Sequence, residues 1–126
     1  MTAQTFRRIA LGLTGAIESA HMGHPDFRAG GRIFATLHQG EKTGMVKLTP
    51  EQQHLFISAH PQMFEPEAGA WGRQGCTRVY LQAANPEVVG EAMTLAWQSV
   101  TAARPARSAK SARTAPSSSR ARPKRR

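Results

Sequence analysis

Apolar residues along the first hundred positions follow two different periods. From Thr2 to Leu13 they recur at Phe6, Ile9, Ala10 and Leu13, the i, i+3, i+4, i+7 spacing of one helix stripe. Thr2 stands where an N-cap belongs, and Thr14-Gly15 ends the segment. Ala16–Met22 follows as a moderately β-like run. Gly23–Leu37 then sets two strand-like runs around Gly30-Gly31. A Gly-Gly pair closes a two-residue hairpin because both central residues of the turn need positive φ, which glycine reaches without a Cβ clash. Pro25 cannot donate to a ladder and so marks the start of the hairpin. Strict alternation on the outgoing strand predicts Ile33, Ala35 and Leu37 on one face, with Arg32, Phe34 and Thr36 on the other.

After a polar loop, His38–Gly44, Met45–Leu48 reads as a strand with Val46 and Leu48 opposite Lys47. Thr49-Pro50-Glu51-Gln52 is the sharpest local signal: an N-cap, a proline at N1 and a capping-box glutamine. The helix it opens is expected to reach about Ala59, packing through Leu55, Phe56 and Ala59, and to stop at His60-Pro61. Residues 61–75 hold three glycines, two prolines and Trp71, which predicts a loop held down by Trp71 and Phe64. Thr77–Ala83 alternates, with Val79 and Leu81 facing away from Arg78, Tyr80 and Gln82. Asn85-Pro86-Glu87 opens a last helix whose stripe is Val88, Val89, Ala92, Met93, Ala96, Trp97 and Val100. Helix, strands, helix, strand, helix is an α+β order. It predicts a mostly antiparallel sheet with helices packed on one face, because the hairpins are local and βαβ alternation is weak.

Composition changes this picture at one end only. The 126 residues suffice for one domain, and their formal charge is +9. Residues 104–126 hold nine basic residues and no acidic ones, which leaves eight basic and all eight acidic residues in 1–103. The domain, expected over 1–102, is therefore formally neutral, and the excess belongs to an Ala/Ser/Pro/Arg-rich tail, 103–126. Without large apolar residues that tail cannot bury enough surface to offset its ordering entropy, so it is expected to be disordered. One cysteine, Cys76, excludes an internal disulfide framework. No apolar run approaches the roughly 18 residues of a membrane span, and Ile9–Leu13 is too short for a signal-peptide core. The expected location is the cytoplasm.

Three stretches carry a resemblance. Gly23-His24-Pro25-Asp26-Phe27-Arg28, Gly31-Arg32-Ile33-Phe34-Ala35-Thr36-Leu37 and Trp71-Gly72-Arg73-Gln74-Gly75-Cys76-Thr77-Arg78-Val79-Tyr80-Leu81 resemble, in order and spacing, the MmcQ/YjbR-like proteins. Ile9–Gly15 is similar to that family's first helix and exit, with Thr14 where a proline is common. The likeness covers roughly 1–102 and leaves out the tail. It implies an α+β fold of the frataxin-related (CyaY-like) arrangement and carries the label of a double-wing DNA-binding protein, a label that fold comparison alone does not turn into a site.

The cations Arg28, Arg32, Lys42, Lys47, Arg73 and Arg78 fall on or beside the proposed hairpins, where wings of the sheet would set them against phosphates, with Tyr80 or Trp71 as stacking surfaces. The competing reading makes them the solvated face of a half-covered sheet, balanced by Glu18, Asp26 and Glu41. For the tail, Lys110, Arg113, Arg120, Arg122, Lys124, Arg125 and Arg126 join Arg104 and Arg107 in a segment that binds polyanions through counterion release. Nucleic acid comes first there, an acidic lipid surface second, and a merely solubilising extension is the bland alternative.

His21-x-x-His24, with Cys76, His38, His54 and His60, invites a metal, but no second ligand pair has structural-zinc spacing. Iron binding in frataxin uses an acidic first helix, and Thr2–Leu13 has no acid. No metal or other cofactor is expected. Cys76 reads as a small core residue, Ser19 and His21 have no partners suggested by spacing, and no phosphate-binding glycine motif occurs, so no enzyme is expected. Trp71, Trp97 and Phe34 are expected to pack as core or loop anchors. The expected function is low-specificity DNA binding, with affinity from the tail and placement by Arg28, Arg32, Lys47, Arg73 and Arg78. The alternative from another class is a protein- or small-ligand-interaction module. A continuous positive sheet surface would favour DNA; a concave pocket around Trp71 and His24 would favour the module.

Overall fold

Two tight hairpins begin the sheet. In the computed structural model, which describes residues 1–102, β2 (His24–Ala29) pairs with β3 (Arg32–Leu37), and Ala29 faces Arg32 across Gly30-Gly31. Gly30 has φ 61° and Gly31 φ 81°, the left-handed values that the dipeptide predicts for a type I′ turn. The preceding hairpin joins β1 (Ile17–His21) to β2 through Met22-Gly23, with His21 facing His24. Its turn also has positive φ at both positions, 52° at Met22 and 82° at Gly23, although Met22 carries a Cβ.

The full order is α1 (Ala3–Leu11), β1, β2, β3, β4 (Thr43–Lys47), α2 (Pro50–Ala59), β5 (Phe64–Pro66), α3 (Gly69–Arg73), β6 (Cys76–Tyr80), a 3-10 turn (Leu81–Ala83) and α4 (Pro86–Thr101). The six strands form one antiparallel sheet in the spatial order β1-β2-β3-β4-β6-β5. The fold is thus α+β, as the element order predicts. α4 crosses β2, β3 and β4 on one face, and α1 packs against α4. Between them lies the core, where Phe6, Phe27, Phe34, Leu37, Val46, Val79, Val89 and Met93 are fully buried. Each such side chain contributes about 2 kcal/mol of transfer free energy.

Four local expectations need correction. Residues 61–75 are not a plain loop: Phe64–Pro66 forms the edge strand β5 against β6, and Gly69–Arg73 forms α3. Phe64 anchors this stretch at 1% exposure, but Trp71 does not, being 68% exposed. On α2, Leu55 is 66% exposed and no residue is buried; Phe56 and Ile57 make its partial contact with the core. On β3, strict alternation fails because Phe27 pairs with Ala35 while Arg28 pairs with Ile33, leaving Phe34 as the extra residue of a β-bulge. The bulge resets the face, so Phe34, Ala35 and Leu37 are all buried. Finally, the strand read over Thr77–Ala83 ends at Tyr80, where the chain turns into 3-10 geometry.

Candidate functional site

The sheet face away from α4 carries the site. Alternation sends Val46 of β4 and Val79 of β6 to the core, which turns Met45, Lys47, Cys76 and Arg78 the other way. These four residues line a cleft of about 730 Å³ together with Arg28, Ile33, Thr36, His21, His24 and His38. Ala68 and Trp71, before and within α3, form one lip, and the β1–β2 hairpin forms the other.

Two three-residue ion-pair clusters stiffen this face. In the first, Asp26 has no solvent exposure. Its carboxylate accepts from Arg28 Nε at 2.7 Å and Arg28 Nη2 at 3.1 Å, and from His21 Nδ1–H at 2.7 Å. The Arg28 hydrogen bonds hold the Asp26 carboxyl below its ordinary pKa against the opposing pull of desolvation, with His21 adding to the same effect. In the second, Glu67 accepts from Arg78 Nη2 at 2.9 Å and Nε at 3.1 Å, and from His38 Nε2–H at 2.8 Å. His38 Nδ1 is 2.8 Å from Thr43 Oγ1, and Tyr80 O–H donates to Glu65 at 2.9 Å beside Arg78. Two of the expected phosphate contacts, Arg28 and Arg78, are therefore already committed to carboxylates.

Two side chains of the cleft are not committed. Neither Lys47 nor His24 has a hydrogen-bond or ion-pair partner among the described residues, and His24 Nδ1 is buried without a partner. A buried bare lone pair costs less than a buried N–H donor, so this placement favours the tautomer with its proton on Nε2. Cys76 is 4% exposed, and burial pushes its thiol pKa up, with Lys47 acting in the opposite sense. It remains a thiol at neutral pH and packs as a small apolar residue.

Of the predicted cations, Arg28, Lys47 and Arg78 meet in the cleft. Arg32 and Arg73 are exposed and lie outside its lining, without carboxylate partners among the described residues. Register places Arg32 at the start of β3, Lys47 at the end of β4 and Arg73 just before β6, so all three belong to one end of the sheet. Lys110, Arg113, Arg120, Arg122, Lys124, Arg125 and Arg126 lie outside the described residues, as does the expected disorder of the tail. Sequence reading missed Glu67 and His38 as structural partners. The outward position of Arg78 on β6 was legible, but its partner comes from a stretch without strand or helix periodicity.

An antiparallel sheet covered by helices on one face and cleft on the other defines an α+β domain with an open, charged sheet surface. The chain belongs to the YjbR family, whose model matches residues 11–99. Among solved structures it is similar to the crystal structure of the Deinococcus radiodurans protein DR2400, a DUF419 domain. The two share 22% identity over 79% of this chain and 78% of that one, with a TM-score of 0.68, a likeness of fold. No curated protein matches the chain. Among the described residues, no helix is long and apolar enough to cross a membrane.

Proposed function

We propose that the protein is a non-enzymatic, low-specificity DNA-binding protein of the cytoplasm whose affinity comes from residues 104–126. The observation that carries this reading is the partition of charge. Nine cations without an acid follow a domain in which eight bases meet eight acids, and on the sheet face Arg28 and Arg78 are neutralised in place. Counterion release from a tail of this charge gives affinity with little sequence preference. Membership of the YjbR family leans the same way only through the double-wing label that the resemblance carries. Of the five domain cations expected to place the duplex, Arg32, Lys47 and Arg73 are left without a carboxylate partner among the described residues, and on this reading they supply placement.

Fluorescence anisotropy with a labelled duplex, comparing 1–126 with 1–103 across a salt series, tests the division. The full chain should bind with log Kd rising steeply against log salt, and 1–103 should lose most of the affinity. Equal binding by the two chains would place the site on the domain, and no binding by either would refute the DNA reading.

A second reading is favoured by the cleft itself. The concave pocket bounded by Trp71 and His24 is the feature that sequence reasoning names as the mark of an interaction module, and its volume suits a small ligand. On this alternative the open sheet face, Lys47 included, takes a small ligand, and residues 104–126 are a solubilising charged extension.

A further inference from the structure

The cleft has a definite chemical character, set by what its walls have already used. Arg28 and Arg78 are held by Asp26 and Glu67, so each arginine–carboxylate pair is neutral as a unit. The remaining formal charge is that of Lys47, a partly buried residue whose ammonium has no hydrogen-bond or ion-pair partner among the described residues. No carboxylate among the described residues lies within 4 Å of it, so its charge is open to an anionic ligand entering the cleft. Beside it the surface is apolar: Met45 and Ile33 lie on neighbouring strands, and Cys76 pairs directly with Lys47. Trp71 stands at the lip with 68% of its surface exposed, a large flat ring that the fold leaves unpacked.

At the other end, His24 lines the cleft with its ring edge-on to His21 and without a side-chain hydrogen bond among the described residues. Strand rise and spacing put the His24 and Lys47 Cα atoms roughly 15 Å apart, diagonally across β2, β3 and β4. A ligand using both ends is elongated, with an acid at one end, a flat apolar body, and a hydrogen-bond acceptor for His24 Nε2–H at the other.

Resting on the reading of the cleft as a binding site, we infer that it takes a small aromatic acid in its anionic form, its acidic group on Lys47 and its ring against Trp71. The lining discriminates by charge. An amide of the same shape leaves Lys47 without a counterion, and an amine sets two cations against each other. Carboxylate and phosphate monoester share the chemistry that Lys47 recognises. The acid is the discriminating group, and the ring supplies contact area.

The test uses the full-length chain labelled with ¹⁵N at about 150 mM salt, titrated in parallel with 2-naphthoate, 2-naphthamide and 2-naphthylmethylamine. Phenyl phosphate is added as the phosphate arm. The indole N–H of Trp71 and the amides of Met45, Lys47 and Cys76 report the site. 2-Naphthoate should shift these signals saturably and bind at least tenfold tighter than the amide. Lys47→Gln should remove that preference, and Trp71→Ala should weaken binding at least fivefold. Both residues lie at the surface, so the ¹⁵N spectrum of each variant should otherwise match that of the parent. Equal binding of amide or amine at these signals would overturn the anion assignment while leaving the cleft a binding site. Shifts confined to signals outside the cleft, or undiminished in Lys47→Gln, would also overturn it. If none of the four compounds moved the cleft signals, the ligand-binding reading of the face would fall as well.

Discussion

At Asp26 a carboxylate without solvent exposure is held by three donors, two from Arg28 and one from His21. Its folded pKa lies below the ordinary 3.8, chiefly because of Arg28. The group therefore adds stability at every pH above its unfolded value, and that contribution is lost as pH falls below about 4 through the folded value. Asp26→Asn should cost about 2 kcal/mol at pH 7, because the arginine keeps some access to water but loses its charged acceptor. The same variant should flatten the acid side of a denaturant stability profile between roughly pH 2 and pH 5. An unchanged acid limb would show that other carboxylates control it. Met22 makes the opposite case. It is 91% exposed with φ 52°, a left-handed position that favours glycine or asparagine. Met22→Asn should stabilise the protein by about 1 kcal/mol and raise Tm by about 4 °C, read by calorimetry. A fall in Tm would mean that the methionine makes a contact worth more than the backbone strain.

Among the elements, α2 depends most on its own sequence. None of its residues is buried, so its ends matter more than those of α4, which buries Val89, Ala92, Met93, Ala96 and Val100. The capping box forms as the sequence predicts: Thr49 Oγ1 accepts from Gln52 N at 3.1 Å, and Gln52 Oε1 accepts from Thr49 N at 3.0 Å. Thr49→Ala should cost about 1 kcal/mol. Amide exchange in Pro50–Ala59 should accelerate well before exchange in α4, because the loss acts on local opening first. Uniform acceleration across both helices would show instead that α2 opens only with the whole domain. The bulge in β3 and the short elements β5 and α3 were not legible for a common reason. A bulge is one residue of slippage against a partner strand, and β5 is three residues whose pairing lies entirely with β6. Neither leaves a period in its own segment.

Across the whole molecule the charges divide into a compensated domain and an uncompensated tail, and the two should respond differently to salt. Increasing ionic strength should weaken duplex binding by the full chain while leaving the Tm of the domain nearly unchanged. The ion pairs Asp26–Arg28 and Glu67–Arg78 are partly shielded from solvent and close in geometry, and screening acts on exposed charges separated by about a Debye length of 10 Å at 0.1 M. Thermal melts in 50 and 500 mM salt, beside the anisotropy series, read both responses. A Tm that fell steeply with salt would show that the two clusters contribute as surface pairs do.

By itself the sequence determined what local physics controls: the helix stripes, the Thr49 and Asn85 caps, the Gly30-Gly31 turn, the α+β order and the separation of tail from domain charge. These follow from backbone stereochemistry, periodicity and counting, which act within a few residues. Only the tertiary structure decided which cations are free. Arg28, Lys47 and Arg78 look alike as letters in outward strand positions. Asp26, two residues before Arg28 on β2, neutralises the first, and the residues after β5 bring Glu67 to the last, while Lys47 is left without a carboxylate within 4 Å among the described residues. Likewise Trp71 reads as a core anchor until α3 carries it to the rim of the cleft, and its exposure depends on where other elements pack. A side chain's type is fixed by the chain, but whether a carboxylate reaches it depends on the fold: Glu67, eleven residues before Arg78, meets it only after β5 and β6 pair, and no carboxylate reaches Lys47 among the described residues.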